Sequence, residues 1–404
     1  MRSYSLFTII LLCVAIFLVD LLAFYSLKSI TEIITYNSIR SAINISFWVF
    51  TIGLITGILV LRVKFNSISY QRQHVLVSSL YGLTVSSFVP KFIFILIIGL
   101  LQITNYVFSE EVSIIVIPIV GLFSGFLPFF VIVYAIFISL YRFKVHHIKL
   151  RFRDLPEGFR GLRMVQISDT HLGSFNARHH VFDRAVTLIN RLKPDYIFFT
   201  GDLVNNYSDE LRGWKPTFDK LKAKKAKYAV LGNHDYGDYS TWDSPEAKQA
   251  NFDAIKKFFE DIDFKLLLNE AEVIKNGNDR IAIIGVENCG SHPFKRYGNL
   301  QKAMENVTNI PFKILLSHDP THWDDEVIEN TDISITLSGH THGMQAGIEF
   351  GSRKWSPIQY KYKRWSGLYK HNEQYLYVNR GLGWLGFPGR LGMRPEITFI
   401  EFDT

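Results

Sequence analysis

The sequence predicts an N-terminal all-α region of four transmembrane helices followed by an α/β domain with a mixed sheet. Three observations predict it. Residues 1–142 are dense in Ile, Leu, Phe and Val and hold four apolar runs of bilayer length. From Arg142 onward the charge rises, and strand-like runs alternate with helical periods, as in layered α/β domains. Between them, 143–162 shows neither pattern and reads as a connector. The organisation is therefore 1–142, a connector at 143–162, and 163–404.

The four runs fall near 5–26, 43–63, 84–107 and 113–141. They are apolar nearly all round, whereas a soluble bundle would keep a polar face. The first run is longer than the apolar core of a signal peptide. Pro90 and Lys91 interrupt the third, so its apolar stretch can start as late as Phe92. Asp20, inside the first run, either partners a cation or, near a helix end, reaches water. Basic residues set the orientation. Arg62, Lys64 and Arg72 lie between runs two and three, and Arg142, Lys144, Lys149, Arg151 and Arg153 follow run four. The link between runs three and four carries Glu110 and Glu111 instead. This bias predicts a plasma- or inner-membrane protein with its C-terminal domain in the cytoplasm. The mixed first link (Lys28, Glu32, Arg40) leaves the extracytoplasmic orientation as the alternative. The net charge of +7 fits basic residues beside membrane spans better than a nucleic-acid surface. The two cysteines, Cys13 and Cys289, form no CxxC or zinc spacing.

In the second half, strands are expected at 163–168, 195–200, 227–231, 280–286, 312–317, 332–338, 374–379 and 396–402. Helices are expected at 179–192, 246–261 and 300–309. Stretches 203–216 and 287–299 lack a period and read as loops that line a site.

Five short segments carry chemistry, each at or just after a strand end. They are Asp169-Thr170-His171, Gly201-Asp202, Gly232-Asn233-His234-Asp235, Ser317-His318-Asp319 and Gly339-His340-Thr341-His342-Gly343. Ligands gather beyond the carboxyl ends of strands in α/β sheets. One edge would thus collect Asp169, His171, Asp202, Asn233, His318, His340 and His342, with His234 beside them. Imidazole, carboxylate and amide oxygen together suit a pair of divalent ions such as Mn, Zn, Fe or Ni. Two such ions about 3.5–4 Å apart lower the pKa of a bridging water and clamp both oxygens of an in-line displacement at phosphorus. Gly201, Gly232 and Gly339 each precede a candidate ligand and allow close backbone approach.

These segments resemble the calcineurin-like metallophosphoesterase superfamily, whose pattern is D-x-H, GD, GNH[DE], a lone His and GHxH. The resemblance covers 163–404. It implies a four-layer αββα sandwich with mixed sheets and metal-dependent phosphoric ester hydrolysis by a metal-bridging hydroxide. It also implies one metal on Asp169, His171, Asp202 and His342, and a second on Asp202, Asn233, His318 and His340. His234 would face the phosphate as the catalytic, non-ligand group. Asp202 is followed by Leu203-Val204-Asn205-Asn206, unlike the serine/threonine phosphatase branch. Asn205 stands where purple acid phosphatases place a metal-binding Tyr. The tail Tyr377-Val378-Asn379-Arg380-Gly381 and Arg394-Pro395-Glu396 is similar to the membrane-associated bacterial YkuE/YaeI-like phosphodiesterase group. Met344 stands where that group reads Gly.

Other features are open to two readings. Arg380 and Arg390, with Trp384, Phe387 and Pro388, are either a wall for a phosphate bearing an apolar group or loop packing. Lys354, Lys361, Lys363 and Arg364 interleave with Trp355, Tyr360, Tyr362 and Trp365. They read as a membrane-surface flap, a nucleic-acid surface or a solvated hairpin. The expected function is a membrane-anchored phosphohydrolase, its substrate a phospholipid, a lipid-linked diphosphate or a soluble phosphodiester. The alternatives are a membrane sensor or scaffold with a metal-bound domain, and a metal-dependent nuclease.

Overall fold

The computed structural model describes residues 5–68, 70–105, 110–175, 179–290, 294–351 and 353–403. The chain divides into two compact units. One comprises the residues up to Ile138 with Gly386–Gly389, the other Ser139–Leu385 with Arg390–Thr404.

The first unit contains α1 (Leu6–Thr31), α2 (Asn37–Lys64), α3 (Tyr70–Asn105) and α4 (Glu110–Phe137). All four are long and apolar enough to cross a membrane. The link at 106–109 and the side chains of Glu110 and Glu111 lie outside the described residues. The third helix is longer than expected and runs unbroken through Pro90 and Lys91. A proline is tolerated in such a helix because neighbouring groups satisfy the carbonyl it frees. Close approach of α3 and α4 is set at Gly121, where a Cβ would come within 2.3 Å of Ile98.

Asp20 does not reach water. It is 1% exposed, and Lys91 Nζ on α3 lies 2.8 Å from its Oδ1. Thr51 on α2 donates to its Oδ2, and the Lys91 ammonium rests 4.4 Å from the Phe47 ring centre. Three helices thus meet at one charged cluster inside apolar surroundings, where only paired charges persist. Lys91→Met alone strands the carboxylate and is expected to destabilise by about 3–5 kcal/mol. Asp20→Asn combined with Lys91→Met should cost far less. Thermal unfolding of the full chain in detergent separates the two, and equal losses would refute the pairing.

Among the described residues, the second unit holds fourteen strands: β1 (Lys144–Arg151), β2 (Arg163–Ile167), β3 (Tyr196–Thr200), β4 (Ala226–Val230), β5 (Lys265–Leu266), β6 (Glu270–Asn276), β7 (Asp279–Gly285), β8 (Lys313–Leu316), β9 (Ile335–Ser338), β10 (Ile348–Phe350), β11 (Arg353–Trp355), β12 (Gly367–His371), β13 (Gln374–Val378) and β14 (Glu396–Asp403). One six-stranded sheet runs β1-β14-β2-β3-β4-β5 and a second runs β12-β13-β9-β8-β7-β6. Both are mixed. β2, β3 and β4 are parallel, as are β7, β8, β9 and β13, while β14 pairs with β2, β6 with β7 and β12 with β13 antiparallel. β10 and β11 form a separate two-stranded ribbon.

Three apolar layers show how the sheets stack. Phe198, Tyr228, Ile283, Ile314 and Ile400 form a core drawn from both sheets. Ile189 of α5 (Asp183–Leu192) and Phe259 of α7 (Pro245–Asp261; α6 is Lys215–Phe218) pack with Phe199 and Ile397 of the first sheet. Leu300 of α8 (Leu300–Met304) and Trp323 pack with Ile284 and Leu315 of the second sheet. Phe198 and Phe199 point to opposite faces, as successive strand residues must, and both faces are covered. The result is the expected four layers, helix–sheet–sheet–helix.

Every expected strand forms. The differences lie at the edges. Residues 144–151, read as connector, form β1 and pair in parallel with β14 along eight residues. The helix expected at 300–309 stops at Met304, and that at 179–192 begins as a 3-10 turn, His179–Phe182.

Candidate metal centre

The seven residues picked out at strand ends come together beyond the carboxyl ends of β2, β3, β4, β8 and β9. The loops that carry them are stitched to each other. Asp169 N donates to Gly201 O at 2.9 Å, His171 N to Asp202 O at 3.2 Å, and Gly339 N to His318 O at 2.9 Å. Asp235 fastens two of these loops. Its buried carboxylate accepts from the backbone N–H groups of Asp202, Leu203, Val204 and Gly232 at 2.8–3.2 Å. Burial, and then the charge of Asp202, push its pKa up to about 7 against the pull of those N–H groups.

Backbone strain concentrates here. Asp169, His171, Asp202, His340 and His342 all have φ between 44° and 73°. Such left-handed non-glycine residues cluster where surrounding structure holds a site in place. Met344 shares that conformation, with φ 55°. Glycine is required beside the carboxylates. A Cβ on Gly232 would lie 2.2 Å from Asp202 Oδ1, and one on Gly339 2.2 Å from Asp169 Oδ2.

Two clusters of donors result, each with its donor atoms within 4.8 Å of one another: Asp169, His171 and His342, and Asp202, His318 and His340. In the first, His342 Nε2 is 3.2 Å from Asp169 Oδ1 and 3.0 Å from His171 Nε2. In the second, His318 Nε2 is 3.2 Å from Asp202 Oδ2, 3.2 Å from Asn233 Oδ1 and 3.3 Å from His340 Nδ1. Asp202 stands between them, its Oδ2 also 3.6 Å from His171 Nε2.

The outward nitrogens are engaged elsewhere. His318 Nδ1 donates to the Thr200 carbonyl (2.7 Å), and His171 Nδ1 to Asn205 Oδ1 (3.0 Å). His340 Nε2 pairs with the Tyr362 hydroxyl at 2.7 Å. Asn233 donates its amide N–H to Tyr239 (2.8 Å), which turns its oxygen inward. Such partners fix the tautomer and aim the remaining lone pair, as around metal-binding histidines. Asp319 Oδ2, buried and without a hydrogen bond, lies 3.5 Å from His340 Nε2 and adds to that support. His234 is held differently. Its N–H donates to Asp202 Oδ1 (2.9 Å) and its Nδ1 to the Asn205 carbonyl (2.7 Å), so its imidazole lies beside the clusters and in neither.

The electrostatics suit cations. Burial would raise the pKa of Asp169, but His342 beside it brings it to about 2. Burial likewise opposes ionisation of Asp202, and His318 overrides it, holding that carboxyl well below its usual range. Burial lowers His171 and His340, keeping these imidazoles neutral and able to ligate, and it lowers the non-ligand His234 as well. His318 is the exception. Burial lowers it too, but Asp202 prevails and lifts it to about 10. In the metal-free chain this proton supplies the positive charge the carboxylates call for.

The sequence left Tyr239, Tyr362 and Asp319 without a role at the centre, because their support is visible only once the loops meet. Arg380 and Arg390 do not form a phosphate wall. Both are buried, with Arg380 on Glu349, Ser366 and Glu396, and Arg390 on the carbonyls of Gly383, Arg380 and Met393. Trp384 is core, and Phe387 and Pro388 group with the helical unit. Cys289 is buried and its thiol is pushed up to about 12 by that burial, so it is not reactive.

Known proteins share both halves. Residues 162–344 match the calcineurin-like phosphoesterase family, and residues 2–140 match the family described as "Probable Calcineurin-like phosphoesterase, transmembrane domain". The metallophosphoesterase YkuE of Bacillus subtilis is 30% identical over 257 residues, which cover 62% of this chain and 82% of YkuE. The chain belongs to the calcineurin-like phosphoesterase family. A zebrafish transmembrane protein with a metallophosphoesterase domain is also 30% identical, over 64% of this chain. The match spans 56% of that protein's length, a little over half. Phosphodiesterase YaeI of Escherichia coli is 26% identical over 64% of this chain and 87% of YaeI. This calcineurin-like phosphoesterase is thus an integral membrane protein and a metal-dependent phosphoester hydrolase.

Proposed function

We propose that the chain is a membrane-anchored phosphodiesterase working through two divalent ions. Asp169, His171, Asp202 and His342 would hold one, and Asp202, Asn233, His318 and His340 the other, with Asp202 shared. The observation that carries this is the pair of donor clusters flanking Asp202, with the outward nitrogens of His171, His318 and His340 engaged elsewhere. The donor chemistry fits, since mixed imidazole, carboxylate and amide oxygen suit Mn, Zn, Fe or Ni. Bound there, such ions supply Lewis acidity and lower the pKa of water. The chain's own groups do the rest. Asp235 keeps the Asp202 and Asn233 loops in register, and His234 offers a proton or hydrogen bond to the phosphoryl or leaving oxygen. The diester preference is supported by the name of the relative YaeI. The excess of Lys and Arg at the second link and after α4 supports a cytoplasmic second unit. A reporter fused after Thr404 that works only outside the cytoplasm would refute that side.

The test is turnover by the full chain, purified with Mn²⁺, of bis-p-nitrophenyl phosphate against p-nitrophenyl phosphate. Faster cleavage of the diester is expected. Full metal occupancy with no cleavage of either would leave a binding scaffold instead.

Metal affinity should also depend on pH. The proton on His318, whose pKa stands near 10, must leave before its Nε2 can ligate. Across pH 6–8, below that value, each unit of acidification is expected to weaken binding by up to about tenfold for this one proton. Isothermal titration with Mn²⁺ in buffers of different ionisation heat reads the released proton. Affinity that is flat or that rises on acidification would contradict it.

A further inference from the structure

Among the described residues of the second unit, the exposed large hydrophobic side chains all fall between positions 344 and 368: Met344, Ile348, Phe350, Trp355, Tyr360 and Leu368. Three of them share one face of the β10–β11 ribbon. Its register pairs Ile348 with Trp355 and Phe350 with Arg353, and pairs Glu349 with Lys354 on the opposite face. The opposite face is pinned. Glu349 Oε2 is 2.7 Å from the buried Arg380, and the Lys354 ammonium donates to the Ser366 carbonyl and lies 5.4 Å from the Trp365 ring centre. The outer face therefore cannot turn inward to bury its apolar residues. Phe350 is 85% exposed and Ile348 66%.

We propose that this ribbon and the neighbouring Tyr360 (81% exposed) form a docking surface for an anionic lipid bilayer, which delivers a lipid-borne phosphoester to the metal centre. Charge selects the occupant. Glu349, the one acidic residue of 344–368, lies on the other face with its charge paired to Arg380, while Arg353 stands on the outer face and Lys361 and Lys363 are exposed nearby. Aromatic and aliphatic side chains ringed by Lys and Arg suit the interfacial zone of an anionic membrane. The chain's own candidate spans keep a bilayer at high local concentration. The same segment touches the candidate centre. Tyr362 pairs with His340, Thr341 Oγ1 donates to the Trp365 carbonyl at 2.6 Å, and Ser356 Oγ to the Gly343 carbonyl at 2.9 Å. The substrate class rests on the phosphohydrolase reading above; the docking does not.

The test uses the full chain in vesicles with Cys13 and Cys289 replaced by Ala. An environment-sensitive fluorophore is attached at Phe350→Cys or, as a control, at the exposed Glu260→Cys. In phosphatidylcholine–phosphatidylglycerol vesicles, the label at position 350 should shift to the blue. Doxyl lipids should quench it at least twofold more than the control. Equal quenching at the two positions overturns the docking. So does a blue shift without doxyl quenching, which would mean that protein, a second copy included, covers the ribbon. In a second arm, Ile348→Ser/Phe350→Ser/Tyr360→Ser should keep cleavage of bis-p-nitrophenyl phosphate within twofold. Its release of phosphoester products from a polar lipid extract should fall at least tenfold. Unchanged lipid hydrolysis, or none by the parent protein while it cleaves the soluble diester, overturns the substrate class. Doxyl quenching without any hydrolysis would leave the docking standing and sink the phosphohydrolase reading.

Discussion

His234→Ala is expected to keep both metal ions and to lose about 10²–10⁴-fold in turnover, the range a positioned proton donor contributes. His234 lies outside both donor clusters, and its contacts to the centre run through its backbone N–H on Asp202 and its Nδ1 on the Asn205 carbonyl. Removing the imidazole therefore strips no ligand. It does remove the group best placed to donate to an oxygen leaving phosphorus. Burial lowers its pKa while the charge of Asp202 and the Asn205 carbonyl favour the protonated form. A reaction that needs this proton slows as pH rises through that pKa, so the alkaline limb of the rate profile should vanish in the variant. Metal analysis beside steady-state kinetics checks both halves. Turnover within about threefold of the parent would remove His234 from the chemistry.

Asp202→Asn should behave oppositely, losing metal and rate together. Asp202 Oδ2 lies within 3.6 Å of histidine nitrogens in both clusters, and its ionised form is the one the site favours. An amide keeps the shape and discards the charge that two cations would share. The several kcal/mol that metal Lewis acidity contributes would be lost, a fall of about 10²–10³-fold or more. Bound metal should drop to one ion per chain or fewer. Full occupancy with a normal rate in Asp202→Asn would show that the two clusters do not share this residue.

That these donors meet was legible in the sequence because each sits where a buried strand ends. Runs such as Tyr196–Thr200, covered on both faces, announce themselves by continuous apolar character. The residue after such a run then has only one place to go, the sheet edge. The edges of the sheets were less readable. β1 spells Lys-Val-His-His-Ile-Lys-Leu-Arg, and its charges hide a strand that β14 defines by pairing alone. The supports of the centre were equally hidden. Tyr362 reaches His340 from 22 residues away, and nothing local to either announces the pair. Arg380 and Arg390 were open to two readings, and the structure supports loop packing. Arginines beside glycines and aromatics suggest an anion wall, yet Arg390 folds back on the carbonyls of its own loop and on His342, and Arg380 is taken by Glu349, Ser366 and Glu396. Lys91 likewise read as a break in an apolar run, when its meaning lies in Asp20, on another helix.

The two-ion centre is tested most directly by where metal binds. Anomalous scattering from crystals of the Mn²⁺-loaded full chain should show two peaks, one on either side of the Asp202 carboxylate. One should be ligated by Asp169, His171 and His342, the other by Asn233, His318 and His340. A single peak, or peaks that leave either cluster unligated, would contradict it.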